Sequence, residues 1–372
     1  AAGLVAPAAC DTGPVGSGGP SIDTSAPVKV ALLVPRGSAQ PGDSVLAQSL
    51  ENAARLAISD LQGVAIDLRV YDTAGDVAMA ARSAETAVND GAQIILGPVY
   101  AEAANAAGVA ARGINVLSFS NNPAIAGGNV YILGPTFDNT AQRLARYAGA
   151  NGRKNVLVVS STDPAGVAGR DAIQRALSRS TARAAGNVTY DLSQESVIAT
   201  VPQIRASVES TGADAIFMTA NTADALPLLT QLLPESGVSP ETVKYIGLTR
   251  WDIPPQTLEL PGVQGGWFAL PDPGKAAQFR ARYSAAYGAQ PHPIGGLAYD
   301  GIAAIGALVG TGRADALTGG SLTQAAGFQG VGGIFRFLPG GTNERGLAVA
   351  TIQNRQVVVI DPAPASFGGA GL

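Results

Sequence analysis

Lys29-Val30-Ala31-Leu32-Leu33-Val34 and Lys154-Asn155-Val156-Leu157-Val158-Val159 are one kind of segment, written twice in the chain. Each opens on a lysine and runs into branched apolar residues, the pattern of a strand buried on both faces. Three further pairs follow in the same order. Tyr71-Asp72 returns as Tyr190-Asp191. Gly91-Ala92 before Ile94-Ile95-Leu96 returns as Gly212-Ala213 before Ile216-Phe217-Met218, and Val116-Leu117-Ser118-Phe119-Ser120 returns as Tyr245-Ile246-Gly247-Leu248-Thr249. The copies stand roughly 120 to 130 residues apart. Constant order and spacing predict two similar α/β lobes, and a protein built this way has a cleft between them.

The segments between the anchors carry helical spacing. Leu50, Ala53, Leu56 and Ala57 share one face of a helix over 49–61. Met79, Ala80, Ala84, Ala87 and Val88 do the same over 76–90, which Gly91 ends. A small-residue helix over 101–112 precedes the strand at 115–119, and Tyr131–Pro135 leads to a helix that Thr136 or Asp138 can cap. The second lobe opens at Asn155. Helices are expected over 274–287 and 295–308, and a hairpin over 347–360 turns at Asn354-Arg355. Phe279, Tyr283 and Tyr287 fall four apart and read as core packing.

The 372 residues are 46% hydrophobic and 14% charged, with a net charge of −4. That composition excludes a disordered chain and supplies no basic stripe for nucleic acid. Cys10 is the only thiol and His292 the only imidazole. An internal disulfide and a Cys/His zinc cluster are therefore excluded. His292 sits between Pro291 and Pro293, a loop setting that suits a solvated side chain better than a general base. No Gly-rich phosphate loop precedes a helix, so neither a catalytic set nor a cofactor or metal site is expected.

Ala8-Ala9-Cys10 resembles the end of a bacterial lipoprotein signal peptide, which would place a lipid on Cys10 and make 11–27 a flexible tether. Pro7 departs from the leucine usual in that pattern, and Asp11 is a residue that retains some lipoproteins in the inner membrane. Which membrane holds the anchor stays open. Residues 362–372 read as a disordered end.

Lys29–Pro35, Gly91–Pro98, Tyr299-Asp300 and Phe328-x-Gly330-x-x-Gly333-Ile334-x-Arg336-Phe337 resemble the type I periplasmic binding proteins of the leucine/isoleucine/valine-binding class over about residues 28–361. The resemblance implies an α/β fold of two Rossmann-like lobes with parallel sheets, an interlobe cleft and three hinge crossovers. These would fall near 134–138, 268–274 and 327–340. Lobe 1 would comprise 28–135 plus 272–328, and lobe 2 would comprise 136–271 plus 329–361. Gly97-Pro98-Val99-Tyr100-Ala101-Glu102, Phe119-Ser120-Asn121-Asn122 and Gly265-Gly266-Trp267-Phe268 look like a branch of that fold named penicillin-binding protein activators.

In open parallel sheets, ligands meet the loops at the strands' carboxyl ends. Lobe 1 then offers Ser38, Tyr100, Ser118, Ser120 and Asn121, and lobe 2 offers Asp163, Asn221, Arg250 and Trp251. The family's amino-acid binders carry a serine shortly after the Gly-Pro, where this chain has Tyr100. They also place a carboxylate for the ligand's ammonium near Arg250-Trp251. An arginine there would repel an ammonium and suit an anionic or flat polar ligand, unless it is paired with Asp163 or Asp252. The expected function is a non-enzymatic, lipid-anchored periplasmic protein that takes a small polar or amino-acid-like ligand. Its role would resemble that of a penicillin-binding protein activator, with a penicillin-binding protein as partner. The alternative is the receptor of an ABC transporter for amino acids or related solutes, with an ABC permease as partner.

Overall fold

A computed structural model describes residues 18–368. Cys10 and the signal-like segment lie outside the described residues. The first five strands are β1 (Val28–Val34), β2 (Ile66–Asp72), β3 (Ile94–Leu96), β4 (Asn115–Ser118) and β5 (Val130–Ile132). Between the first four lie α1 (Asp43–Asp60), α2 (Val77–Asn89) and α3 (Ala101–Ala110). They form one parallel sheet in the order β2-β1-β3-β4-β5. The lysine-led run becomes β1, next to the edge, and Val30–Val34 are fully buried.

The chain continues through α4 (Phe137–Ala150), β6 (Asn155–Ser161), α5 (Pro164–Leu177), β7 (Arg183–Tyr190), α6 (Gln194–Thr211), β8 (Ala215–Met218), α7 (Leu226–Glu235), β9 (Lys244–Gly247) and β10 (Trp267–Leu270). These strands pair in the order β7-β6-β8-β9-β10, the order of the first sheet repeated. Each of the four sequence anchors therefore occupies the same place in both sheets. Helices α8 (Pro273–Tyr287), α9 (Gly296–Val309) and α10 (Gly319–Leu322) follow. Phe279, Tyr283, Ile302 and Ile305 pack with Leu50 and Leu32 in the core of lobe 1.

The last strands are β11 (Phe328–Gly330), β12 (Gly333–Phe337), β13 (Asn343–Arg345), β14 (Ala348–Gln353) and β15 (Gln356–Asp361). Strands β14 and β15 extend the second sheet past β10, and both residues of their turn, Asn354 and Arg355, have left-handed φ of 51° and 61°. By contrast, β11–β13 form a separate small sheet. The sequence reading places 329–361 in lobe 2, and this is corrected for 329–345. Phe328, Phe335 and Phe337 bury their rings in the lobe 1 core, and the chain rejoins the second sheet only at Ala348. The apolar spacing of β12 is equally compatible with either lobe, so sequence could not place it.

Two expectations for the ends are corrected as well. Ile22 is buried in lobe 1 and its N–H donates to the Ala314 carbonyl at 2.9 Å, so the tether is not free over its last residues. Residues 362–368 lie against the small sheet, where Phe367 sits 4.4 Å beneath the Arg336 guanidinium. An aromatic ring and a partly shielded cation hold this segment in place.

Candidate functional site

Chain direction fixes which sheet edges meet. From the carboxyl end of β5 the chain crosses at Leu133–Thr136 and enters α4, which Thr136 and Asn139 cap reciprocally. α4 leads away from the crossing and β6 returns, so the carboxyl ends of both sheets point toward the crossover region. β10 likewise ends at a crossing, Pro271-Asp272, whose Asp272 caps α8. A third crossing follows β13. The crossings are tied together: Asn343 donates to the Ile132 and Gly134 carbonyls at 2.8 Å each, Asn139 donates to the Asn343 carbonyl at 3.0 Å, and Arg345 donates to the Leu133 carbonyl.

On the lobe 1 side, four groups converge on one corner. Asp43 is the first residue of α1, preceded by Gly42 at φ 91°. The Tyr100 hydroxyl donates to its Oδ1 at 2.6 Å. Asp43 is 5% exposed and its Oδ2 is buried without a hydrogen-bond partner. Gly75, at φ 67°, closes the corner. A Cβ there would stand 3.2 Å from Ser38 Oγ, 3.3 Å from the Tyr100 ring and 3.4 Å from Asp43 Oδ2. Burial and the Asp43 carboxylate together push the Tyr100 phenol up to about 12. The Asp43 charge also reaches His292, whose imidazole burial holds below its ordinary value. Asp43 and Gly75 escaped the sequence reading, and His292, expected as a solvated loop side chain, is partly buried. Gly42-Asp43 as a helix start was the available signal.

The other lobe 1 candidates divide by burial. Ser118 is fully buried, donating to the Pro98 carbonyl at 3.0 Å and accepting from the Ser120 N–H at 3.1 Å. It braces the corner after β3 and presents no hydroxyl to the surface. Ser120 is 5% exposed and accepts from the Asn122 N–H, while Asn121 is exposed beside it.

In lobe 2, Asp163 caps α5, accepting from Ala165 N–H at 3.1 Å and from the Ser161 hydroxyl. Those bonds, with Ser161 foremost, hold its carboxyl below the usual range. Asn221 accepts from Ala223 N–H at 2.8 Å and donates its amide to Asp224. Burial raises the Asp224 carboxyl. Arg250 grips Asp252 through two parallel bonds, one of 2.8 Å, so its charge is neutralised within the loop.

Trp251 requires a correction. It is not a cleft wall but a fully buried part of the lobe 2 core. Its ring stacks on Phe268 at 6.4 Å and fills the slot left by Gly247 and Gly266, where an added Cβ would lie 2.3 and 2.4 Å from the indole. Position in the loop was legible, but the direction of the side chain was not.

Among the described residues no group of three His, Cys, Asp or Glu side chains could hold a metal, and no helix is long and apolar enough to cross a membrane. The cleft edges thus offer hydroxyls, carboxylates and helix N-termini, a donor–acceptor set suited to holding a small polar molecule.

The sequence model of the family described as periplasmic binding protein matches residues 27–356. The chain belongs to the periplasmic binding protein family. Membership implies a periplasmic location. No curated protein sequence matches it. Among solved structures, this binding protein is similar to a Rhodospirillum rubrum protein assigned to a branched-chain amino acid ABC transporter, at 20% identity and a TM-score of 0.76, covering 90% of this chain and 100% of that one. It is also similar to an ABC transporter substrate-binding protein from Desulfitobacterium hafniense in complex with Leu, at 17% identity and TM-score 0.63, covering 90% and 100%. A third is a solute-binding protein of an ABC transporter from Rhodopseudomonas palustris BisB5 in complex with 3,4-dihydroxy benzoic acid, at 18% identity and TM-score 0.57, covering 90% and 96%. At these identities the likeness establishes the type I two-lobed fold of this periplasmic binding protein.

Proposed function

We propose that this periplasmic binding protein is the receptor of an ABC transporter, closing its lobes on a small amino-acid-like or carboxylate-bearing solute. It would work without catalysis, held to the membrane by a lipid on Cys10. The observation that carries the reading is the Arg250–Asp252 pair. With both carboxylate oxygens of Asp252 bound along one edge of its guanidinium, Arg250 adds no net charge to the lobe 2 edge. The expected repulsion of an ammonium group is thereby removed, and with it one of the two departures, the other being Tyr100, that favoured an activator of penicillin-binding proteins. That second reading rests on short motif resemblances and on Tyr100 standing where amino-acid binders carry a serine. Structural neighbours that hold Leu and 3,4-dihydroxy benzoic acid support a solute of this size.

A thermal-shift screen of amino acids and aromatic acids tests the proposal. One or more should raise the melting temperature saturably, and Ser120→Ala with Asn121→Ala should weaken that response. If no solute shifts the transition and the protein co-purifies from membranes with a penicillin-binding protein, the receptor reading is wrong.

A further inference from the structure

On the flank of lobe 2, a cavity of about 670 Å³ opens between the start of α6, one side of α7 and Leu260-Pro261. Its size falls in the range of small-molecule sites, about 300–1,000 Å³. From Asp224, two residues before α7, it runs along the helix past Leu228 and Gln231 to Glu235. The floor is apolar, built from Val197, Leu228 and Leu260, and Leu192 stands 52% exposed at the margin. Its only ionisable lining residues are Asp224 and Glu235. Asp224 stands in the turn just before α7 and Glu235 is its last residue, the helix between them being about 15 Å long at the usual rise per residue. No lysine or arginine lines the cavity to offset them. Asp224 is half-buried, and the burial that desolvates its carboxylate also makes a bound cation more favourable there.

We propose that this cavity is a second binding site, taking an elongated amphipathic cation such as an alkyl diamine. The apolar chain lies along α7 and the two ammonium groups meet Asp224 and Glu235. A neutral chain would gain only the apolar floor, and a dianion would meet two like charges. The site lies wholly within lobe 2, and its Asp224 also accepts from the cleft candidate Asn221 and from the Ala225 N–H.

Calorimetric titration of the whole chain with dodecamethylenediamine tests it. Saturable binding of one equivalent is expected, with the matching dodecane diol and dicarboxylic acid binding far more weakly. Glu235→Gln should weaken the diamine about two- to fivefold, the scale of one exposed ion pair. Gln231→Lys, an exposed change that places a cation four residues before Glu235, should weaken it at least as much. Both positions are exposed, so the fold is kept. Absence of saturable heat, equal affinity for diamine and diol, or diamine affinity unchanged by both variants would each overturn the proposal.

Discussion

The Tyr100 hydroxyl binds one carboxylate oxygen of Asp43 at 2.6 Å and leaves the other buried with no partner. A phenol from the start of α3 thus serves as the sole side-chain donor to a carboxylate at the start of α1. Tyr100→Phe should cost about 1–3 kcal/mol, the scale of stranding a buried polar group. Urea unfolding at neutral pH measures it. Asp43→Asn with Tyr100→Phe should cost less than the sum of the single changes, because the two residues share one bond.

The same contact predicts an alkaline effect. The Tyr100 phenol is raised from 10 to about 12 in the folded chain, so its contribution is complete below pH 10 and is lost as pH rises toward about 12. Wild type should therefore lose stability relative to Tyr100→Phe across that window. Parallel denaturation curves that keep a constant gap would refute the assignment.

Trp251→Ala should destabilise by about 3–5 kcal/mol through the cavity it leaves. Trp251→Phe should cost less. A cleft-wall tryptophan would instead change ligand affinity and leave the unfolding midpoint alone, so guanidinium titration separates the two roles.

Arg345 and Asp300 form a buried pair at 3.1 Å, and Asp300 also accepts from the Val331 N–H at 2.8 Å. Burial raises the Asp300 carboxyl and Arg345 opposes it. Arg345→Met should cost about 3–5 kcal/mol at neutral pH, since it strands a buried charge. The loss should shrink as the medium is acidified, because protonating Asp300 removes that charge. Adding Asp300→Asn should recover part of the stability.

Asp163→Ala should cost about 0.5–2 kcal/mol as a lost helix cap, while Asp163→Asn keeps most of the bond. Because the carboxyl is held low, its stabilisation is present above the ordinary carboxylate range and disappears as pH falls through the folded value. Acid unfolding of the asparagine variant should consequently show a shallower slope.

Most of the architecture was legible because strands buried on both faces announce themselves as unbroken apolar runs. The four repeated anchors became corresponding strands in two sheets of the same order. Side-chain direction was harder to read. Trp251 goes inward because Gly247 and Gly266 leave a slot for it, a fact of three-dimensional neighbours that loop position does not encode. Asp43 was missed because its partner Tyr100 lies far along the chain, joined only by the parallel sheet. Residues 329–345 were assigned to lobe 2 because Phe335 and Phe337 fit any core equally well.

Once that sheet belongs to lobe 1, the last crossing shrinks to Gly346-Leu347, beside Pro271-Asp272 and Leu133–Thr136. Any rotation of one lobe against the other is confined to the torsions of these few residues. Gly346 is itself crowded, since a Cβ there would stand 2.7 Å from Ile334. Under the proposed receptor role, lobe closure would draw on these few backbone torsions alone. Ordering one residue's backbone costs about 1–2 kcal/mol, and here almost none remain to be ordered. Under that role, affinity would be governed by desolvation and contact chemistry rather than by the entropy of the joint.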